Sequence, residues 1–267
     1  MSPNASWTFD PGAIVLVVVA GALYVHRWRE ARRVTGLRGA RGWHLASFMS
    51  GLLCIVAALN SPIDRLSDQI LTMHMVQHLL LLDIAPVLLV VGLTRVILRP
   101  VTRRLEPIER AAGPLGHPVF AVALYVGAMW LWHVPALYDA AVRHPAIHVL
   151  EHTTFMTAGA LYWWHLLGPI PSRLRAGGMG PIAYMLVTKL LVGLLGIGLT
   201  FAPGSFYGYY AHHHHYWGLS GSTDQAVAGA LMALEQSLVM GIALAWLFVR
   251  MLGESVRNDE RAERYVG

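Results

Sequence analysis

Seven long apolar stretches are spaced along the chain, and they constrain its fold more than any other feature. Each approaches or exceeds the roughly 20 residues with which a helix crosses a bilayer. The chain is 55% hydrophobic and only 13% charged, about half the charged fraction of a typical soluble domain. The sequence therefore predicts an all-α, polytopic membrane helical bundle that forms a single domain over residues 1–267. Its seven transmembrane helices are expected at about 11–27, 43–60, 70–92, 117–135, 147–168, 181–203 and 224–250.

The basic residues give this bundle an orientation. Most of the 20 Arg and Lys residues fall in the first, third and fifth connections and in the C-terminal tail. Basic connections stay in the cytoplasm, which predicts an N-out/C-in, multi-pass protein of the bacterial cytoplasmic (inner) membrane. The net charge of +5 is then a topology signal. Because the sequence has no soluble module with clustered arginines and aromatic residues, we expect the lipid bilayer, and no nucleic acid, as its surroundings.

The 14 histidines are unevenly distributed over this topology, and most fall in outer loops or at the outer ends of helices. His74 and His78 are four residues apart, as are His148 and His152. Residues with this spacing share one face of a helix. Counted at 1.5 Å per residue from the start of each span, the two pairs lie at overlapping depths, and His133 ends the span between them. If spans three, four and five are neighbours, these imidazoles converge.

Convergent imidazoles predict a metal site near the outer face. Imidazole suits Cu, Zn, Fe and Ni, and nearby thioethers favour Cu(I). Met73 and Met75 flank His74 but point about 100° to either side of it, so at most one is expected to bind with the pair. Glu151 lies on the same face as His148. The outer loop “HHHH”, His212–His215, could collect metal or be a solvated polar loop.

Ionisable residues are also predicted inside the membrane, where each needs a partner or a task. Asp83 and Lys189 fall at nearly equal depth, about 12–13 Å from the inner ends of spans three and six. We expect them to form an ion pair. Glu235 lies near the middle of span seven on one face with Asp224, and Gln225 lies close to this stripe. Glu235 could be a lower metal ligand, a proton carrier or a protonated acid bonded to a neighbouring helix.

Three segments resemble one protein family: “MHMVQHLLLLDIAPVLLVVG”, “WLWHVPALYDAAVRHPAIHVLEHTTFMTAGALYWW” and “TDQAVAGALMALEQ”. From about residue 43 to residue 250 the chain resembles the seven-helix CtaG-type cytochrome c oxidase assembly factors of bacteria. The resemblance implies a role in copper delivery, with cytochrome c oxidase subunits or copper chaperones as partners. It also implies a ligand set that includes His74, His78, His133, His148, His152 and Asp224.

The leading hypothesis is a copper-binding protein, without enzymatic activity, that supports maturation of the copper centre of cytochrome c oxidase. One alternative is an intramembrane zinc-dependent hydrolase in which Glu151 or Asp224 acts as acid or base. Another is a haem-binding or quinone-binding protein, in which His78 and His152 would be the axial ligands of a haem. A third is copper transport through the bundle, with Glu235 lower on the path.

Overall fold

The computed structural model describes residues 2–102, 113–170, 179–212 and 215–266, so His213 and His214 of the outer loop lie outside the described residues. The described chain is built from helices, and no strand forms within these ranges. A further helical segment covers residues 95–102. The numbered helices are α1 (Pro11–Thr35), α2 (Gly42–Leu59), α3 (Pro62–Ser67), α4 (Leu71–Leu79), α5 (Ala85–Gly92), α6 (Pro118–Trp132), α7 (Pro135–Arg143), α8 (Pro145–Leu167), α9 (Gly180–Thr200), α10 (Gly208–Ala211) and α11 (Gly221–Val266).

Within the described residues, five helical stretches are long and apolar enough to cross a membrane, and a sixth forms if two bent helices count as one. The predicted all-helical architecture is therefore confirmed with five or six candidate spans, while the count of seven and the orientation stay predictions. Helices α1 and α11 run past their predicted ends because their polar ends continue as helix. The five stretches are Pro11–Arg38, Gly42–Leu59, Leu71–Gly92, Gly180–Thr200 and Gly221–Gly253.

Helix α8 corresponds to the predicted span at 147–168 but is not among the candidate spans. Its 23 residues would cover about 34 Å, which is enough for a bilayer. Its first turns contain His148, Glu151 and His152, and these polar side chains lower the mean hydropathy. Glu151 and His152 are buried against other helices. Hydropathy therefore understates the fit of α8 to a membrane.

The predicted span at 117–135 is interrupted in the structure. Helix α6 ends at Trp132, and the axis of α7 is bent by 78° from that of α6. Pro135 begins α7, and the residue before it, Val134, has an extended backbone (ψ 123°). Proline disfavours helical geometry in the preceding residue. The bend leaves His133 at the C-terminal end of α6.

Helices α4 and α5 form one continuous stretch through a π-helical turn at Leu80–Ile84. Pro86 follows this turn and has no backbone N–H to give to the carbonyl of Leu82 four residues earlier. Gly159 of α8 packs against this π-helical turn. A Cβ atom added to Gly159 would overlap the Leu82 carbonyl oxygen. The glycine thus allows α8 to lie directly against the stretch that carries His74 and His78.

The main hydrophobic core lies among α4, α6, α8, α9 and α11. Helix α9 packs along α11, and α8 packs against α5, α6 and α7. Helix α1 lies at the side of the bundle, where it packs against α2 and leaves most of its apolar residues exposed. The predicted spans three, four and five are therefore neighbours, as convergence of their histidines requires.

Candidate metal centre

Four buried side chains from two helices meet at one point. His74 and His78 come from α4, and Glu151 and His152 come from α8. One ligand atom from each lies within 4.8 Å of all the others. The Nε2 atom of His74 is 3.6 Å from Oε2 of Glu151, and Nε2 of His78 is 3.5 Å from Oε1 of Glu151. The predicted convergence of spans three and five therefore occurs.

The helical repeat produces this arrangement within each helix. Residues four apart lie one above the other, and the ring centroids of His74 and His78 are 4.3 Å apart. The rings of His148 and His152 are 4.1 Å apart. Glu151 precedes His152 and is fully buried, so its carboxylate enters the space between the two helices.

Many buried polar atoms at this point have no hydrogen-bond partner. Buried polar groups in proteins are nearly always hydrogen-bonded, and the concentration of these ligand-type atoms at one place fits a bound cation. Imidazole and carboxylate together suit ions such as Cu(II), Zn(II) and Fe(II). The unpartnered atoms are Nε2 of His74, both ring nitrogens of His78, both carboxylate oxygens of Glu151, and Nε2 of His133, His148 and His152.

Tyr210 determines which nitrogen of His74 is available to a metal. Its hydroxyl donates to the Ser67 carbonyl at 2.5 Å, and Nδ1 of His74 lies 3.0 Å from the same hydroxyl oxygen. A phenol has only one hydrogen to donate, so the His74 Nδ1–H must donate to Tyr210. Burial, with a smaller effect of the Asp68 carboxylate, raises the pKa of Tyr210 and keeps the phenol protonated. In the neutral ring, the lone pair of His74 is then on Nε2, which faces Glu151.

His133 and His148 lie beside the four-residue cluster. The Nδ1–H of His133 donates to the Met129 carbonyl at 2.6 Å, which leaves Nε2 as its acceptor atom. Its ring centroid is 6.2 Å from that of His78. His148 is only half-buried, and its ring lies 5.2 Å from that of His74. Both histidines are close enough to take part, but neither belongs to the set within 4.8 Å.

The predicted ligand Asp224 has another role in the structure. Its carboxylate accepts hydrogen bonds from the backbone N–H groups of Leu71 and Thr72, at 2.8 and 2.9 Å. The Thr72 hydroxyl donates to the same carboxylate at 2.6 Å. The first N–H groups of a helix have no partner within the helix, and they attract a carboxylate. Asp224 therefore caps α4, and this engagement argues against its predicted ligand role.

Three other predicted site residues lie in different surroundings. Gln225 holds the loop before α10, because its Oε1 accepts from the Phe206 N–H at 2.7 Å. Met75 is fully buried in the hydrophobic core, where packing accounts for it. Met73 is half-buried. Ligand roles for Met73 and Met75 stay predictions.

The ion pair predicted between Asp83 and Lys189 is not formed. The Asp83 carboxylate instead accepts from the Tyr125 hydroxyl at 2.6 Å and from the Trp163 indole N–H at 2.8 Å. Gln236 donates to it at 3.0 Å and also lies 3.1 Å from the Glu235 carboxylate. Equal depth in the membrane does not fix the face on which a side chain lies. Asp83 and Glu235 thus belong to a second buried polar cluster.

Sequence reasoning missed the tyrosines around the metal cluster. Tyr138 is fully buried, and its ring centroid lies 4.9 Å from that of His74 and 5.8 Å from that of His133. Tyr207 packs on Tyr138, and its hydroxyl donates to the His133 carbonyl at 3.3 Å. These residues come from a short helix and a loop, where no periodic pattern signals them. Tyr138 follows His133 by only five residues, which is the one available hint.

Comparison with known proteins gives a family for this chain. Residues 22–254 match the family described as cytochrome c oxidase caa3 assembly factor, Caa3_CtaG. Over 97% of its length, the chain is 24% identical to an uncharacterised protein of Mycobacterium leprae and 25% identical to one of Mycobacterium bovis. The chain spans only 41% of the length of these relatives. No solved structure matches it. Because the family match covers most of its residues, the protein belongs to the cytochrome c oxidase caa3 assembly factor family.

Proposed function

We propose that this protein binds copper at His74, His78, Glu151 and His152 and supports maturation of the copper centre of cytochrome c oxidase. The observation that carries the proposal is the approach of four buried ligand atoms to within 4.8 Å of one another. The family supplies the link to the oxidase. On this proposal copper is the cargo, and the protein is a carrier that does not catalyse a reaction.

The surroundings of the cluster suit a bound cation. The Glu151 carboxylate supplies negative charge in a position from which water is largely excluded. An anion buried without a partner is costly, and a cation among the imidazoles would neutralise it. His74 presents Nε2 because Tyr210 fixes its tautomer. Such outer contacts orient metal-binding histidines.

We place the site on the outer side of a bacterial cytoplasmic membrane, with α8 as a further span. The cluster lies near the N-terminal end of α4, and the segment before α1 reaches the same end of the bundle. There the N–H of Asn4 donates to the Gln69 side chain at 2.8 Å. The connection after α1, at the opposite end of that helix, is rich in arginine. The positive-inside rule then faces the cluster outward.

An intramembrane zinc hydrolase is the second candidate function. The three histidines His74, His78 and His152 are a ligand set that zinc also accepts, with the fourth position open to water. The structure adds no support for the thioether ligands that would favour Cu(I), because Met75 is accounted for by packing. Glu151 could then act as the base on a zinc-bound water. Metal identity separates the two candidates.

The haem alternative fits the site poorly. The ring centroids of His78 and His152 are only 5.8 Å apart. His74 lies 4.3 Å from His78, and Phe155 lies 4.6 Å from it. These side chains occupy the space that a flat macrocycle between the two histidines would need.

Copper transport is also less well supported. Asp83 lies further along the same helical stretch and is fully buried, but both of its oxygens are already bonded to Tyr125, Trp163 and Gln236. An ion that moved inward would have to break these bonds before Asp83 could bind it. Delivery from the outer side therefore fits the arrangement better than passage through the bundle.

Elemental analysis of the purified protein tests the proposed function. We expect stoichiometric copper in the wild type and a large loss in His78→Ala and in His152→Ala, since each variant removes a buried ligand. His144→Ala is the matched control, because His144 precedes α8 but is exposed. Full copper content in both ligand variants would refute the site. Stoichiometric zinc together with ester or amide turnover would favour the hydrolase.

A further inference from the structure

His148 is placed between the buried cluster and the outer solvent. It lies in the first turn of α8, one turn before His152, and residues 143–146, which lead into and begin this turn, are exposed. Its own side chain is only half-buried, yet its Nε2 atom is buried and has no hydrogen-bond partner. The ring therefore presents one edge to the surface and a free ligand nitrogen to the interior.

The ring positions place His148 beside two members of the buried cluster. The inner set is the four residues that lie within 4.8 Å of one another, His74, His78, Glu151 and His152. His148 does not belong to this set, but its ring is 5.2 Å from that of His74 and 4.1 Å from that of His152. His148 therefore lies next to two members of the inner set, His74 and His152.

We propose that His148 is the transfer ligand of this centre, through which the ion enters and leaves the buried set. The inference rests on the proposed function. As the ion moves outward, a bond to Nε2 of His148 forms while His74 and His152 stay bound, and the bonds to His78 and Glu151 break. The oxidation state does not change. Because the ion always keeps several ligands, it never has to be released bare into a low-dielectric interior, which would be costly.

The other possible route passes His133, and the structure disfavours it. His133 lines an apolar groove of about 460 Å³ together with Trp130, Leu195 and Phe206. This groove opens between α6 and α9, on the side of the bundle where exposed apolar residues such as Leu194 indicate lipid. A hydrated ion would lose its water there without gaining polar ligands. The His148 route leads instead to the exposed residues 143–146, which include His144.

Exchange kinetics test this inference with copper as the probe. Protein loaded with Cu(II) is mixed with excess chelator, and the rates of copper loss and of reloading are measured for the wild type, His148→Ala, His133→Ala and His144→Ala. We expect His148→Ala to retain wild-type copper content at equilibrium. Both of its rates should fall on the order of tenfold, which corresponds to about 1.4 kcal/mol in the barrier. His144→Ala should exchange at the wild-type rates, and rates that fall in His133→Ala but not in His148→Ala would assign the route to His133 and overturn the inference.

The outcomes separate this inference from the proposed function. A wild type that binds no copper refutes both. Copper bound at the inner set, with unchanged exchange rates in His148→Ala, refutes the transfer role alone. Loss of equilibrium copper from His148→Ala, to the same degree as from His152→Ala, makes His148 an ordinary ligand and also refutes it. His148→Asn, which keeps a polar side chain on the outer turn, repeats the measurement if the alanine variant is poorly folded.

Discussion

A single hydrogen bond from His74 to Tyr210 controls the ligand atom that His74 presents. In Tyr210→Phe the phenol oxygen is lost, so the Nδ1–H of His74 has no acceptor and the ring can rotate or change tautomer. We predict a decrease in copper affinity of about 10–100-fold, the usual effect of removing such an outer contact. Competition with a chelator of known affinity measures it.

Tyr209→Phe is the control for this prediction. Tyr209 is the neighbouring residue on α10, and its ring contacts Tyr210 and the Arg143 guanidinium. The substitution removes the same hydroxyl group from the same helix, and it should leave copper affinity at the wild-type value. Equal affinities for the two variants would show that the Tyr210 bond does not orient the ligand.

A second prediction at the residue level concerns the carboxylate of Asp224. As a cap of α4 it should contribute to stability and leave metal content unaffected at saturating copper. We predict that Asp224→Ala lowers the free energy of unfolding by about 1–2 kcal/mol, seen as a lower midpoint of thermal unfolding in detergent. Ser222→Ala, at an exposed position of the same turn, should change neither quantity. Loss of the metal from Asp224→Ala without loss of stability would restore the ligand role.

The absence of an Asp83–Lys189 pair also has a measurable consequence. The two side chains belong to separate surroundings, so Asp83→Asn and Lys189→Met should have additive effects on stability. We predict that the double variant equals the sum of the single variants to within about 0.5 kcal/mol. A double variant clearly more stable than that sum would show that an ion pair exists after all.

At the level of helices, the contact between α8 and the π-helical turn holds the two ligand pairs together. Gly159 lies against the Leu82 carbonyl, where a methyl group would overlap the oxygen. We predict that Gly159→Ala separates the two helices, costs about 1–3 kcal/mol of stability and weakens copper binding. Thermal unfolding and copper titration measure the two effects. Gly127→Ala, where an added methyl group meets nothing within 4 Å, should be neutral in both.

The positions of helices could largely be predicted from the sequence, but their breaks could not. Apolar length marks a span, so the segments containing Leu71–Gly92 and Gly180–Thr200 fall close to their predicted limits. The break after Trp132 could not be predicted, because a proline such as Pro135 can either end a membrane helix or lie within one. The polar first turns of α8 show the converse problem, because a hydropathy scale counts their polar side chains as exposed to lipid although they are buried inside the bundle.

The cluster of histidines and Glu151 could be predicted only in part, for a related reason. The i, i+4 spacing of His74 and His78 follows from helix geometry alone, as does that of His148 and His152. The role of Asp224 depends on a helix start that lies 153 residues earlier in the chain. The partners of Asp83 depend on the rotation of three helices about their axes. Spacing within a helix predicts faces, whereas contacts between helices require the packed structure.

Considering the whole molecule, the orientation in the membrane is open to a direct test. In a Cys54→Ser background, which removes the single cysteine, a new cysteine is placed at Asn4 or at Leu37. Both positions are exposed, at opposite ends of α1. We predict that an impermeant thiol reagent added to intact cells labels Asn4→Cys but not Leu37→Cys until the cells are opened. The reverse pattern would put the cluster on the cytoplasmic side and exclude delivery from outside.

The bond between Asp224 and the start of α4 also sets an order of events during biosynthesis. Translation produces the helices that carry His74 and His152 long before Asp224 leaves the ribosome. Until α11 enters the membrane, the first N–H groups of α4 have no carboxylate partner. Tyr210, which lies shortly before α11 in the chain, is also synthesised only late. An ion that arrives during synthesis therefore meets histidines without their final support. On the proposed function, stable loading would require both α11 and Tyr210 to be in place.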